Sequence, residues 1–221
     1  MFFRLKTIHH ANFIHRDFHS GNILFDLGSG KRHQCLIGDL GLTQPVNNTL
    51  PNNEIYGVIP YIAPEIFQGS AFSKESDVYS LGMIMWELTT GSKPFASDDH
   101  DATLICQITN GKRPEITDDT PECFINLMKS CWDPDPKKRP SMTEICKTFS
   151  KWFHRNEDKE QFNLAETRRK GLINSKKLGP NFSGKSHSEA IFTSRPLRSL
   201  ISKCSSINSS STISFNSRQG M

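Results

Sequence analysis

The stretch His15-Arg16-Asp17-Phe18-His19-Ser20-Gly21-Asn22 sits after an apolar run and directly before Ile23-Leu24-Phe25, which has the length and character of a short buried strand. It sets a carboxylate, Asp17, five residues ahead of a carboxamide, Asn22. Leu27-Gly28-Ser29-Gly30 reads as a turn, Gln34 to Gly38 as the returning strand, and Asp39-Leu40-Gly41 follows at once. Two loops joined by one hairpin thus carry Asp17, Asn22 and Asp39. Such hard oxygen donors suit a divalent cation next to a polar substrate.

Working outward, residues 1–13 have Phe2, Leu5, Ile8 and Phe13 near helical spacing and no cap at the start, so they read as the end of a helix. Residues 39–65 are irregular, punctuated by Pro45, Pro51, Gly57 and Pro60; a loop of that length in an ordered domain is expected to be functional. Ser73 to Thr90 reads as a helix, stopped by Gly91. Its apolar side chains, Val78 to Leu88, cover nearly every face, which predicts a buried central pillar. A shorter helix is predicted over 101–110. Thr120-Pro121 reads as a cap with proline at the first helical position, opening a helix with Phe124, Leu127, Met128 and Cys131 on one face. Ser141-Met142-Thr143-Glu144 is a capping box for a last helix whose stripe is Met142, Ile145, Phe149 and Trp152.

Past Phe153 the periodicity stops. Residues 183–221 contain 13 Ser among scattered basic and apolar residues, so the tail is expected to be disordered. The tail also carries the charge. Residues 155–221 hold 12 Lys+Arg against 5 Asp+Glu, while residues 1–154 have a balance of −3, so the formal +4 of the whole chain gives no reason to expect a nucleic-acid partner. Arg168-Arg169-Lys170 and Lys176-Lys177 read as a solvated basic linker, with a nuclear-localisation patch as the alternative. The six Cys form no C-x-x-C pair, and reduced thiols are expected. No signal peptide is legible, and Val78–Leu88 falls short of the roughly 20 residues that span a bilayer. These features imply a soluble, cytoplasmic protein, with the nucleus possible, and no membrane partner.

Taken together, His15-Arg16-Asp17 with Asn22, Asp39-Leu40-Gly41, Ala63-Pro64-Glu65, Asp77-Val78-Tyr79-Ser80-Leu81-Gly82 and Cys131-Trp132 leading to Lys138-Arg139-Pro140 occur in the order and spacing of a eukaryotic protein kinase. Each alone is weak. As a set they make residues 1–153 resemble the family's large, C-terminal lobe: a mainly α fold, a helical bundle with a short β-hairpin carrying the catalytic and D-L-G loops. Residues 154–221 are then a basic, Ser-rich tail. The resemblance implies transfer of the ATP γ-phosphate to a protein hydroxyl, with ATP and Mg²⁺ as cofactors. Asp17 would orient or accept the hydroxyl proton, and Asn22 and Asp39 would hold Mg²⁺ against the phosphates. Glu65 and Arg139 would form a buried ion pair, and Asp77 would accept backbone N–H groups of the catalytic loop. Arg16 would pair with a loop phosphate on Thr43, Thr49 or Tyr56, Thr49 being favoured by its mid-loop position.

Two departures bear on the chemistry. Ser/Thr kinases carry Lys where this chain has His19, and Thr where it has Val58 after Gly57. Both side chains normally contact the catalytic aspartate, so their joint replacement implies that His19 takes over part of that contact. Tyr61-Ile62-Ala63-Pro64-Glu65 and Cys131-Trp132-Asp133-Pro134 look most like the tyrosine-kinase-like group, most of whose members phosphorylate Ser or Thr. A zinc site on His15 and His19 is the competing reading, but it leaves Asp39 and Ala63-Pro64-Glu65 unexplained. The small lobe's glycine-rich loop, lysine strand and partner glutamate find no counterpart in these 221 residues. The chain is therefore expected to be a truncated kinase, inactive by itself; the alternative is a non-catalytic, kinase-derived binding module.

Overall fold

The computed structural model describes residues 2–26, 34–46, 54–175, 177 and 187–216. Helix α1, Phe2–His10, buries Leu5 and His9 and stacks Phe2 on Phe149 with ring centroids 3.9 Å apart. Strand β1, Phe13–Ile14, leads into the Asp17 loop. Strands β2, Ile23–Asp26, and β3, Gln34–Ile37, form the expected antiparallel hairpin in the register Ile23↔Ile37. The turn expected at Leu27–Gly30 lies outside the described residues. Strand β4, Gln44–Pro45, returns to pair with β1, so the start of the long loop is tied to the entry of the Asp17 loop. Strand β5, Tyr56–Gly57, and the short helix α2, Pro64–Phe67, complete that loop.

Helix α3, Lys74–Thr90, is the pillar the sequence predicts. Ser73 caps it in a reciprocal box with Ser76, and Gly91 ends it at φ 69°, a left-handed conformation that costs glycine little. Every residue from Ser76 to Trp86 is buried. A helix wrapped on all sides needs one face without bulk, and Gly82 supplies it. A Cβ there would sit 3.0 Å from Cys131 Cβ, so α3 can touch helix α5, Glu122–Cys131, only through a glycine. Between them, helix α4, Ala102–Thr109, is capped by Asp101, whose carboxylate accepts from the N–H groups of Thr103 and Leu104. The α5 cap differs by one residue from expectation. Pro121 occupies the N-cap position with no side-chain cap, and Thr120 instead meets the Thr117 hydroxyl at 3.2 Å. Helix α6, Met142–Arg155, has the predicted Ser141–Glu144 box.

The tail is where the structure departs most from the sequence reading. In place of disorder, the described residues after Asn156 form helix α7, Lys159–Asn174, strand β6, Arg195–Pro196, and helix α8, Arg198–Asn216; residues 178–186 and 217–221 of the expected disordered tail lie outside the described residues. Helix α7 is seated by aromatic contacts between Trp152 and Phe162 and by the Trp152 indole donating to Asp158 at 2.9 Å. Of the basic residues expected in a solvated linker, Arg168-Arg169-Lys170 lie on this helix, and Lys176 lies outside the described residues. Arg169 donates to Thr89 O at 2.7 Å, at the C-terminal end of α3 where carbonyls lack helical partners, and Arg168 donates to Asp118 O. Helix α8 lies on α4 through Leu197, Leu200, Ile201 and Cys204. Those four are spaced i, i+3, i+4, i+7, a helical stripe short enough to be hidden among serines. Cys204 is bonded to Cys106 of α4, against the expectation of reduced thiols; the spacing rule fails because the two cysteines, 98 residues apart, meet only through the tail's fold. Cys35, Cys123, Cys131 and Cys146 are free thiols, and burial pushes that of Cys131 up to about 12.

Before β6, residues 187–194 run along the 95–100 loop and pack on His100, which is 3% exposed. The His100 Nε2 lies 3.1 Å from Phe95 O, and Nδ1 lies 2.8 Å from Ile191 O and 3.1 Å from Ile191 N. Burial holds the imidazole below its ordinary 6.5, only partly offset by the Ile191 and Phe95 carbonyls; nearby Arg195 lowers it further and Asp98 opposes. A pKa lower in the folded state means that the unfolded segment binds the proton first. The contribution of His100 is therefore full above pH 6.5 and lost as pH falls towards the folded value. Amides of residues 190–197 are expected to lose protection several-fold between about pH 7.5 and 5.5 after correction for intrinsic exchange, and His100→Gln to flatten that dependence. A dependence unchanged in His100→Gln would remove His100 as its cause.

Candidate active site

The site is built around a buried carboxylate on α3. Asp77, 1% exposed, accepts from the backbone N–H of His15 at 2.8 Å and of Arg16 at 3.0 Å, and from His9 Nε2 at 2.8 Å. The first two are the contacts expected from the sequence. The third was not legible there, because a histidine in a helix end says nothing about a partner 68 residues away. Fixing two consecutive amides sets the peptide planes of the loop, and Arg16 is held at φ 74°, which a non-glycine residue adopts only when its surroundings impose it.

Beyond that clamp the loop presents Asp17, 4% exposed. Its backbone carbonyl accepts from Asn22 Nδ2 at 2.9 Å, so the carboxamide five residues on closes the loop over itself and leaves its oxygen for another partner. His19 points towards Asp17, with Nε2 3.7 Å from Oδ2. Its Nδ1 accepts from the Gly21 N–H at 3.1 Å, so the neutral ring carries its proton on Nε2, facing the carboxylate. Val58, 2% exposed, belongs to the apolar core and offers no hydroxyl. The preceding Gly57, at φ 151°, approaches so closely that a Cβ would lie 3.5 Å from Asp17 Oδ1 and 2.7 Å from Ile62 Cδ1.

The hairpin brings Asp39 to the same place. The Gly38 N–H donates to Asn22 O at 2.8 Å, extending the ladder by one residue, and His15 Nε2 reaches Gly38 O at 3.2 Å. Asp39 follows at φ 51°, exposed, with Oδ1 3.3 Å from the Gly41 N–H. Asn22, half-buried, and Asp39, exposed, flank the two strands of the hairpin at its Gly38–Asn22 end, and each carries a side-chain oxygen of the hard kind that fits Mg²⁺. His15 and His19 are turned to different partners, and no group of three or more His, Cys, Asp or Glu able to hold a metal occurs among the described residues.

Around the site, Arg16 lies 4.7 Å over the Phe72 ring and donates to Leu42 O, next to Thr43. Burial pushes its guanidinium below the usual range, with Asp77 pulling the other way. The Thr43 hydroxyl is buried without a hydrogen-bond partner, and Thr49 lies outside the described residues. The Ser20–Tyr61–Glu87–Lys93 cluster was missed. Lys93 donates to Ser20 Oγ at 2.6 Å and meets Glu87 at 2.9 Å, and the Tyr61 hydroxyl donates to Glu87 at 2.7 Å. Burial and Glu87 raise the Tyr61 phenol far above its ordinary value. Only the loop after α3 brings Lys93 there.

Further out, Glu65 and Arg139 form the expected pair, with two parallel bonds of 2.6 and 2.8 Å. Arg139 also donates to Asp133 O and Glu75 O, and with Arg113 it brackets Tyr79, the ring centroid being 5.3 and 5.0 Å from the two guanidinium carbons. The pair staples the end of the long loop to the turn before α6.

A loop fixed by a helix carboxylate, two oxygen donors joined by one hairpin and a bidentate staple beneath them define a protein kinase large lobe. The chain belongs to the protein tyrosine and serine/threonine kinase family, whose model matches residues 5–149. Over 142 residues it is 35% identical to a probable serine/threonine-protein kinase of Dictyostelium discoideum, covering 64% of this chain and 8% of that protein. Over 138 residues it is 37% identical to mitogen-activated protein kinase kinase kinase 7 of Homo sapiens, covering 62% of this chain and 22% of that protein. The matched part is thus less than a quarter of the length of these curated relatives. No helix among the described residues is long and apolar enough to cross a membrane.

Proposed function

We propose that residues 1–153 are the large lobe of a serine/threonine protein kinase of the tyrosine-kinase-like group, transferring the γ-phosphate of ATP to a protein hydroxyl in the cytoplasm. The observation that carries the reading is the buried Asp17 carboxylate, approached closely by Gly57, on a loop clamped by Asp77. Asn22 and Asp39 would hold Mg²⁺, which when bound neutralises phosphate charge. Asp17 orients the acceptor hydroxyl and takes its proton. His19 keeps Asp17 in place and presents an N–H to that carboxylate or to a phosphate oxygen. Arg16 receives a loop phosphate on Thr43, Thr49 or Tyr56. The exposed apolar side chains Leu24, Phe25 and Leu40 around the hairpin are the seat of the nucleotide base and of the small lobe that the family resemblance implies.

The test is transfer of labelled phosphate from ATP to a generic Ser/Thr protein substrate by the native gene product carrying this chain, with Asp17→Asn as the control. Transfer that persists in the control would refute the reading. His19 has its own signature. His19→Ala is expected to lower kcat on the order of tenfold with KM for ATP little changed, from the loss of a contact to a charged group. The pair His19→Lys with Val58→Thr is expected to recover it. An unchanged kcat in His19→Ala would reduce the ring to a packing partner of Tyr61, 5.9 Å away.

A further inference from the structure

The tail's pairing with the long loop is too short to hold itself. Strand β6 meets β5 over two residues, Tyr56↔Pro196 and Gly57↔Arg195, and Pro196 has no N–H to donate. The Leu197 N–H adds a bond to Ile55 O at 2.8 Å. Two-stranded pairings of ordinary length are already marginal in water, so this one persists through its anchors.

On the N-terminal side the anchors are polar. The His187 N–H donates to Ala96 O at 2.7 Å, the His100 N–H to Glu189 O at 3.3 Å, and Arg195 to His100 O. On the C-terminal side they lie on α4. Leu197 is fully buried, Leu200 and Ile201 are half-buried, and Cys204 is bonded to Cys106. Ser202, Lys203, Ser205 and Ser206 around them are exposed. Among the described side chains of the tail, that of Cys204 is the last to be buried. Its docking therefore stands on three apolar side chains and one covalent bond. Cys204 lies about 9 Å along α8 from the start of the helix, at 1.5 Å per residue, so fixing its sulfur to α4 fixes where β6 sits. Cys35, Cys123, Cys131 and Cys146 stay as thiols, which leaves the bond to the one pair that joins the tail to the body.

We propose that Cys106 and Cys204 are a thiol–disulfide modification site that latches the tail to the long loop. With the bond formed, β6 is seated on β5; with it reduced, the tail lifts and bares the Tyr56–Gly57 edge. The co-reactant is a small-molecule disulfide, RSSR. A thiolate of the pair attacks one sulfur of RSSR, so that Cys–S–S–R forms as the RS–SR bond breaks and RS⁻ leaves. The second cysteine thiolate attacks the protein sulfur of this mixed disulfide, which forms Cys106–Cys204 and expels the second RS⁻. The two thiol protons end on the two RS⁻, giving two RSH, and two electrons pass from the protein to RSSR. In a compartment where glutathione keeps thiols reduced, the bond forms on an oxidising shift and so reports it. Both cysteines are 6% exposed, so reduction needs the tail to lift first, and bond and pairing stabilise each other. No phosphoryl transfer enters the step, and the latch stands or falls apart from the kinase reading.

The native gene product carrying the chain, equilibrated at constant pH in buffers of graded reduced and oxidised glutathione, tests this. Thiols are alkylated under denaturing conditions and mapped by mass spectrometry, with hydrogen exchange read in parallel. Cys106 and Cys204 are expected to join as the buffer is oxidised. Amides of residues 54–58 and 197–201 are expected to exchange about tenfold or more faster after reduction, with those of α3 unchanged. Cys204→Ser should exchange like the reduced chain at every glutathione ratio. Reciprocally, Leu197→Asp should move the half-oxidation point about tenfold or more towards oxidised glutathione. Arg195→Ala, which removes the His100 contact, serves if that variant does not fold. Both thiols alkylated in the most oxidising buffer, or either one bonded to another cysteine, would overturn the proposal. So would a bond whose reduction leaves the 54–58 amides unchanged, and one whose reduction also releases α3, which would make it a staple of the whole fold.

Discussion

Replacing Asp17 by Asn is expected to lower phosphoryl transfer on the order of 10²–10⁴-fold, the usual contribution of a positioned general base. The substitution conserves shape, and the contacts that hold the loop do not use the Asp17 side chain. They run through Asp77 to the amides of His15 and Arg16 and through Asn22 to the Asp17 carbonyl. Only the electrostatic contact with the facing His19 Nε2, 3.7 Å from Oδ2, would be weakened. What is lost is a group able to take a proton from the attacking hydroxyl. The loss should therefore fall on kcat, with KM for ATP and the melting temperature near their starting values. Initial rates at saturating ATP, paired with thermal melts, separate the two. A rate within about threefold of the parent would remove Asp17 from proton transfer and leave it a positioning role.

Breaking the Glu65–Arg139 pair is the largest stability change expected. The Arg139 side chain is wholly buried and gives bonds to Glu65, Asp133 O and Glu75 O. Arg139→Met keeps much of the volume but leaves the Glu65 carboxylate, itself only 12% exposed, without its cation, at a cost of about 3–5 kcal/mol. For a chain of this size that is a fall in Tm of roughly 10 °C or more. Adding Glu65→Leu to Arg139→Met removes the stranded charge and is expected to return part of the loss. Equal losses in the single and the double variant would mean that the cost lies in the two backbone carbonyls, not in the carboxylate.

The elements whose signals are local were legible. Helix α3 announced itself by apolar residues on every face, the α6 box by Ser141 and Glu144, and the hairpin by two short apolar runs around a glycine turn. The candidate site could be assembled from the sequence for a related reason: Asp17, Asn22 and Asp39 lie within 25 residues and are joined by one hairpin, so sequence order constrains their placement. The Asp77 and Glu65–Arg139 contacts span 62 and 74 residues and were inferred only from resemblance. The contacts of His9 with Asp77 and of Lys93 with Ser20 span 68 and 73 residues and leave no local signal in the sequence. The tail was misread because its stripe, Leu197, Leu200, Ile201 and Cys204, is barely two turns long and set among serines.

By itself, the sequence determined the class of the fold, the order of its elements up to α6 and the candidate residues for chemistry, since helix caps, apolar periods and loop donors act over a few residues. The tertiary structure alone decided what those residues face. It placed His19 against Asp17, seated Arg169 on the end of α3 and returned the tail from α4 to the edge of Gly57. Such contacts depend on the closure of long loops over a shared core, and neither composition nor spacing records which distant surfaces will be left complementary.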